Sequence, residues 1–109
     1  MSLNWTVEFL DASIAALLEE FPEDIQASFL RIAELIRMKG LEQVREPYVK
    51  HLDGPIWEMR MKGRSGIARA AYVTAIGKRV IVVHVFGKKT EKTPRREIEI
   101  ALRRAKEVL

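Results

Sequence analysis

The N-terminal half of the chain changes from a strand pattern to a helix pattern. Residues 4–9 alternate apolar Trp5, Val7 and Phe9 with polar neighbours, which is typical of a half-buried strand. Asp11 is a suitable N-cap for a helix, because its carboxylate can accept hydrogen bonds from free backbone N–H groups. The apolar residues that follow have the spacing of one helical face: Ile14, Leu17, Leu18 and Phe21.

A second helix is predicted directly after the first. Pro22 suits a first helical position, and the acidic Glu23 and Asp24 suit a first turn. Gly40 is a good stop for this helix. Its apolar stripe consists of Ile25, Phe29, Ile32 and Ile36. The two helices should form a hairpin with its apolar side against the core.

The C-terminal half returns to strand patterns. Residues 41–55 contain the breakers Pro47 and Pro55 and are predicted to be irregular. A meander of three antiparallel strands is predicted over residues 56–62, 67–75 and 79–86. In the first of these strands, three apolar residues face one side and three charged residues face the other: Trp57, Met59 and Met61 against Glu58, Arg60 and Lys62.

A closing helix completes the pattern. Thr93 is a good N-cap, and Pro94 suits the first helical position. The apolar stripe of this helix consists of Ile98, Ala101, Leu102 and Ala105. The order β, α, α, β, β, β, α predicts one α+β domain over residues 1–109, with the helical hairpin and the C-terminal helix packed on a small, mainly antiparallel sheet.

Composition narrows the class of protein. The 109 residues are 48% hydrophobic, which suffices for one buried core without covalent staples. The chain has no cysteine, so disulfides and thiolate sites are excluded, and its two histidines cannot form a zinc site alone. We therefore expect no metal and no cofactor. The N-terminus lacks the pattern of a signal peptide and no apolar run approaches a membrane span, so we expect a soluble cytoplasmic protein.

Charge is distributed unevenly between the two halves. Residues 1–46 carry four Lys/Arg against nine Asp/Glu, whereas residues 47–109 carry fifteen against six. A basic half of this kind favours a polyanionic partner, most commonly a nucleic acid, although a solvated surface gives the same pattern.

The loop after the last strand contains Gly87-Lys88-Lys89-Thr90, which invites comparison with a phosphate-binding P-loop. The P-loop motif requires Gly where Val82 stands and Ser or Thr where Lys89 stands. The mismatch disfavours nucleotide hydrolysis.

Four cations form a more persuasive candidate site: Arg60, Arg69, Lys88 and Lys89. Arg69 lies among small apolar residues, where a guanidinium is costly unless it reaches solvent or an anion. An ion pair with Glu58 on the neighbouring strand would satisfy Arg69 without a ligand. If the anion is instead a phosphodiester, the arginines suit phosphate binding, and a lysine crowded by like charges suits proton transfer during attack by a ribose 2′-OH.

Further residues are candidates for an RNA-binding surface, with a plain solvated face or core packing as the alternative. His84 shares its alternating face with Val80, Val82 and Phe86, which favours a core histidine over a catalytic one. Tyr72 could stack on a base or simply pack in the strand. The full set is Lys50, Lys62, Arg64, Tyr72, His84, Lys92, Arg95 and Arg96.

Several of these residues also form a family pattern: Lys50-x-Leu52, Ile56-Trp57-Glu58-Met59-Arg60, Ile67-x-Arg69-x-x-Tyr72 and His84-x-Phe86-x-Lys88-Lys89-Thr90-x-Lys92-Thr93-Pro94. The pattern resembles the phage-derived, HigB-like branch of the RelE/ParE toxin superfamily over about residues 47–105. The resemblance implies a RelE-like fold and the toxin of a type II toxin–antitoxin pair. Such a toxin cuts mRNA on the ribosome and is neutralised by a small antitoxin, often of helix-turn-helix type.

The resemblance also implies residue roles. Arg60 and Arg69 would bind the scissile phosphate, and Lys88 and Lys89 would contact RNA or assist proton transfer. The chain departs from RelE in having no tyrosine after Tyr72, which leaves the proton donor unassigned. Two alternatives remain open at this point: a ParE-like inhibitor of DNA gyrase, and a non-enzymatic nucleic-acid-binding module.

Overall fold

A five-stranded sheet forms the middle layer of the molecule, and helices cover both of its faces. The computed structural model describes residues 4–88 and 92–109. The strands are β1 (Thr6–Phe9), β2 (Val49–Asp53), β3 (Ile56–Gly63), β4 (Gly66–Ala75) and β5 (Arg79–Gly87). The helices are α1 (Ala12–Glu19), α2 (Glu23–Lys39) and α3 (Arg95–Ala105), with a short 3₁₀ helix at Leu41–Gln43. The predicted α+β class is confirmed.

The strand order across the sheet is β1-β5-β4-β3-β2. β1 pairs in parallel with β5, and all other neighbours are antiparallel, so the sheet is mainly antiparallel as expected. The turn between β4 and β5 places Gly77 and Lys78 at φ of 89° and 58°. Glycine adopts this left-handed conformation without a steric penalty, which permits the tight reversal.

Strand β2 is absent from the predicted order, which treated residues 41–55 as irregular. The structure pairs Val49 with Met59 and Lys50 with Glu58, so this segment extends the sheet beyond β3. β2 is an edge strand in which only Val49 is buried, and its sequence lacks a clear alternation of apolar and polar residues. Pairing with β3, rather than local pattern, makes it a strand.

Two hydrophobic layers hold the helices to the sheet. On one face, the α2 stripe packs with Met59 and Met61 of β3, and the stripe predicted from sequence is buried: Ile25, Phe29, Ile32 and Ile36. On the other face, Ala101 and Ala105 of α3 pack with Ile56, Val83 and Phe86. The charged side of β3 therefore faces the α3 layer.

Two of the three predicted helix starts differ from those in the structure. The Asp11 carboxylate accepts hydrogen bonds from the backbone N–H groups of Ser13 and Ile14, so its predicted role as N-cap is confirmed. Pro22 and Pro94 precede α2 and α3 as cap residues rather than occupying the first helical position, because their backbones are extended with ψ of 156° and 141°. Thr93 does not cap α3. Among the described residues, no helix is long and apolar enough to cross a membrane.

Candidate functional site

The α3 side of the sheet brings charged residues of two strands together. Arg60 of β3 and Arg69 of β4 are direct cross-strand partners, and Glu58 lies two residues before Arg60 on the same face. Like charges placed directly opposite each other on a sheet repel, so this pair needs a compensating anion. Glu58 supplies it.

Glu58 is fully buried and lies at the centre of a group that we call the Glu58 cluster: Glu58, Arg60, Arg69, Lys88 and Thr93. Its Oε2 atom lies 3.3 Å from Arg69 Nε, 3.7 Å from Lys88 Nζ and 3.9 Å from Arg60 Nε. Its Oε1 atom accepts a hydrogen bond of 3.0 Å from the Thr93 hydroxyl. The Lys88 ammonium donates to that same hydroxyl at 3.1 Å. One carboxylate therefore contacts three cations and one hydroxyl.

The three cations differ in their access to solvent. Arg69 and Lys88 are only 5% and 7% exposed, whereas the side chain of Arg60 is 20% exposed. Arg60 Nε makes no hydrogen bond within the part of the chain that the structure describes. Arg69 forms the ion pair with Glu58 that was predicted as the alternative to binding a ligand. Arg60 is consequently the cation that an incoming anion meets first.

The surroundings of Lys88 favour loss of its proton. Burial lowers the pKa of Lys88 below that of a solvated lysine. The charge of Glu58 opposes this shift, and the positive charges of Arg69, Arg60 and Lys50 add to it. The cluster therefore contains an ammonium group with a depressed pKa next to two guanidinium groups, an arrangement suited to both anion binding and proton donation.

The other predicted site residues lie outside the Glu58 cluster. Lys89, the fourth predicted catalytic residue, is outside the described residues. Tyr72 is buried in the core on the α2 side of the sheet, which raises its pKa and separates its hydroxyl from the cluster. Arg95 Nη1 donates to Asp53 Oδ2 at 2.6 Å. The predicted RNA-binding residues that are exposed on the surface are Lys50, Lys62, Arg64, Lys92, Arg95 and Arg96.

His84 lies beneath α3, although the alternation placed it with Val80 and Val82. A β-bulge pairs Ala71 with His84 but Tyr72 with Val82, so the extra residue shifts the alternation after Val82. His84 Nδ1 contacts Arg104 Nη1 at 3.0 Å, and His84 Nε2 contacts a Glu97 carboxylate oxygen at 3.0 Å. Because arginine can only donate, Nδ1 is the acceptor and the ring is the neutral tautomer with its proton on Nε2. The interpretation as a satisfied core histidine fits this geometry.

Acidification should therefore weaken the contact between His84 and α3. Burial lowers the pKa of His84, so the folded protein favours the neutral ring, and stability is lost as pH falls below about 6.5 through the folded-state pKa. Between about pH 7.5 and 5.5, urea unfolding of the wild type should show a larger loss of unfolding free energy than that of His84→Gln. Equal slopes for the wild type and His84→Gln would contradict this assignment.

The α2 side of the sheet contains a separate apolar cleft of about 740 Å³. Trp5, Trp57, Tyr72 and Val49 line it, together with residues of the segment before β2. The sequence contains no signal for this cleft, because its walls come from segments that are distant along the chain. It also gave no signal for Thr93 as a partner of Glu58, since Thr93 fits the pattern of a helix cap.

Comparisons with known proteins agree with this architecture. The model of a protein family described as "Phage derived protein Gp49-like (DUF891)" matches residues 16–106. No curated protein sequence matches the chain. The structure is similar to a chain in the crystal structure of the archaeal RelE-RelB complex from Pyrococcus horikoshii OT3, with a TM-score of 0.57 and 18% identity. The similarity covers 77% of this chain and 94% of that chain, and it confirms the expected RelE-like fold.

Proposed function

Because the chain belongs to the Gp49-like family of phage-derived proteins, a family of RelE/HigB-type toxins, we propose that it is an endoribonuclease that cuts mRNA on the ribosome. The observation that carries this proposal is the Glu58 cluster. Three cations converge on one side of the sheet, and Arg60, whose side chain is 20% exposed, is the most accessible of them. The anion proposed to bind these cations is a phosphodiester of the RNA backbone.

Cleavage would use the RNA's own 2′-OH as the nucleophile. The 2′-OH gives up its proton to water as its oxygen attacks the adjacent phosphorus, the bond from phosphorus to the 5′ oxygen breaks, and the products carry a 2′,3′-cyclic phosphate and a 5′-OH. Arg60 and Arg69 bind the non-bridging phosphate oxygens, where negative charge accumulates in the transition state. Lys88 donates a proton to the leaving 5′ oxygen, a role that its lowered pKa supports.

The exposed cations around the cluster would hold the flanking RNA. Lys50 lies on the edge strand β2, where its charge acts on Lys88, and it pairs along the sheet with Glu58. Together with Lys62, Arg64, Lys92 and Arg96 it would contact phosphates on either side of the scissile bond, and contacts of this kind depend on salt concentration. Lys89 is included in the proposed site on the basis of its sequence position.

The proposed partner of the free toxin is a cognate antitoxin of helix-turn-helix type. Support for an antitoxin comes from the similar chain from Pyrococcus horikoshii, which was crystallised in a RelE-RelB complex. An antitoxin that covers Arg60 would block the access of RNA to the Glu58 cluster.

Primer extension on a translated message tests the proposed function. The purified protein should produce discrete cuts when ribosomes are translating the message and few or none on the same RNA without ribosomes. Addition of the co-expressed antitoxin should suppress the cuts. Intact RNA in both reactions, together with gyrase-linked DNA breaks in cells, would contradict the proposal and support the alternative of a ParE-like gyrase inhibitor.

A further inference from the structure

We propose that Glu58 and Thr93 are positioning residues of the cationic site, which hold the ammonium group of Lys88 beside Arg60 and Arg69. The consequence for catalysis rests on the proposed function, but the positioning itself is a property of the folded chain. The sequence pattern assigns neither residue a role in the site, because Glu58 fits an ion-pair partner of Arg69 and Thr93 fits a helix cap.

The hydrogen bonds between the three residues have a fixed direction. An ammonium group can only donate and a carboxylate can only accept. The Thr93 hydroxyl therefore accepts from Lys88 Nζ at 3.1 Å and donates its own proton to Glu58 Oε1 at 3.0 Å. Valine at this position would keep the shape of the side chain and break both bonds. The position of Lys88 thus depends on a single hydroxyl group as well as on charge.

The place of Thr93 in the chain leaves its hydroxyl available to the Glu58 cluster. Pro94 is the N-cap residue of α3, and α3 has no side-chain cap. The Thr93 hydroxyl bonds to Glu58 and Lys88 instead of to the backbone of the helix.

Glu58 positions the three cations through its negative charge. Arg60 and Arg69 face each other across two strands, and Lys88 approaches the same carboxylate oxygen from β5. Without the carboxylate these three cations would repel one another and move apart. The carboxylate oxygens of Glu58 face the cations and the Thr93 hydroxyl, so Glu58 acts through Lys88 and the arginines rather than as a proton acceptor for RNA.

Substitution of Thr93 separates the hydroxyl from the rest of the side chain. In the ribosome-dependent cleavage assay, Thr93→Val should lower kcat about tenfold or more, while KM changes less, because RNA contacts at Arg60 remain. Thr93→Ser retains the hydroxyl and should recover most of this loss. Thr74→Val, an exposed threonine on the other side of the sheet, is the matched control and should leave kcat unchanged.

The pH profile gives a readout that a purely structural role would not change. Glu58→Gln keeps an acceptor for Thr93 but removes the negative charge, so Lys88 faces only the positive charges of Arg60, Arg69 and Lys50. The alkaline limb of kcat should therefore move to lower pH in Glu58→Gln than in the wild type. A structural role alone would lower activity at every pH without moving the limb.

NMR titration of the Lys88 side chain tests the positioning without RNA. Lysine is labelled at the ammonium nitrogen, and Lys88→Arg identifies the Lys88 signal. Its midpoint should fall in both Thr93→Val and Glu58→Gln. If Glu58→Gln fails to fold, Thr93→Val alone decides. Unchanged midpoints and unchanged alkaline limbs would overturn the positioning roles. Absence of cleavage by the wild type would overturn the proposed function instead, and the NMR midpoints would still decide the positioning.

Discussion

Replacing Arg60 with alanine is expected to lower ribosome-dependent RNA cleavage by about 10²- to 10³-fold, the usual effect of removing one donor that stabilises transition-state charge. Arg60 is the best cation for this test because its side chain is 20% exposed and its only ion-pair contact in the described structure, to Glu58, is long at 3.9 Å. The free energy of unfolding should change little when this side chain is shortened. We expect the melting temperature to change by only a few degrees.

Arg79 provides the matched control for Arg60. It is an exposed arginine on the same sheet, and its guanidinium donates two hydrogen bonds, of 2.8 and 2.9 Å, to the Glu8 carboxylate. Arg79→Ala should retain full cleavage activity.

Arg69→Ala should lose cleavage as Arg60→Ala does, but with a measurable loss of stability, because Arg69 is buried against Glu58. Full activity in both Arg60→Ala and Arg69→Ala would refute the phosphate-binding role.

The faces of the main strands were predictable because each element has one buried side. Period-2 alternation along β3 placed Met59 and Met61 in the core and Glu58 and Arg60 on the opposite face, and the structure confirms both sides. The α2 stripe followed from the helical period in the same way. For Arg69, elementary electrostatics required solvent, an internal carboxylate or an external anion, and the structure shows the ion pair with Glu58 at 3.3 Å.

Three features could not be predicted from the sequence, because they depend on partners that are distant along the chain. β2 is a strand through its pairing with β3, while only one of its five residues is buried. The bulge opposite Ala71 moved His84 to the α3 side, and one inserted residue leaves no signature in an apolar run. Thr93 contacts Glu58, thirty-five residues away, whereas local pattern can only describe it as a helix cap.

Polar contacts join α3 to the sheet near both of its ends. Thr93 bonds to Glu58 just before the helix begins, and Arg104 donates to His84 and to the Val83 carbonyl near its end. Between them the helix contributes mainly small residues, Ala101 and Ala105, to the core. These polar contacts help to fix the position of α3, so substitutions in the Glu58 cluster should also affect how α3 packs.

Phe29→Ala is expected to produce the largest loss of stability among the substitutions considered, about 3–5 kcal/mol. Phe29 is 3% exposed, and its ring stacks on Phe9 with 5.4 Å between ring centroids. It therefore joins α2 to β1, the edge strand that contacts the sheet only through β5. For a domain of this size, the melting temperature should fall by roughly 10–25 °C, measured by circular dichroism or calorimetry.

The neighbouring Leu30 is the control, because it lies on the same helix but is 60% exposed. Leu30→Ala should change the unfolding free energy by no more than about 0.5 kcal/mol. A loss of 3–5 kcal/mol is a large part of the stability of a typical domain, so Phe29→Ala should relieve growth inhibition by lowering the amount of folded protein. Arg60→Ala should relieve it with normal soluble yield. Equal melting temperatures for Phe29→Ala and Leu30→Ala would show that the α2 stripe contributes less to the core than its burial indicates.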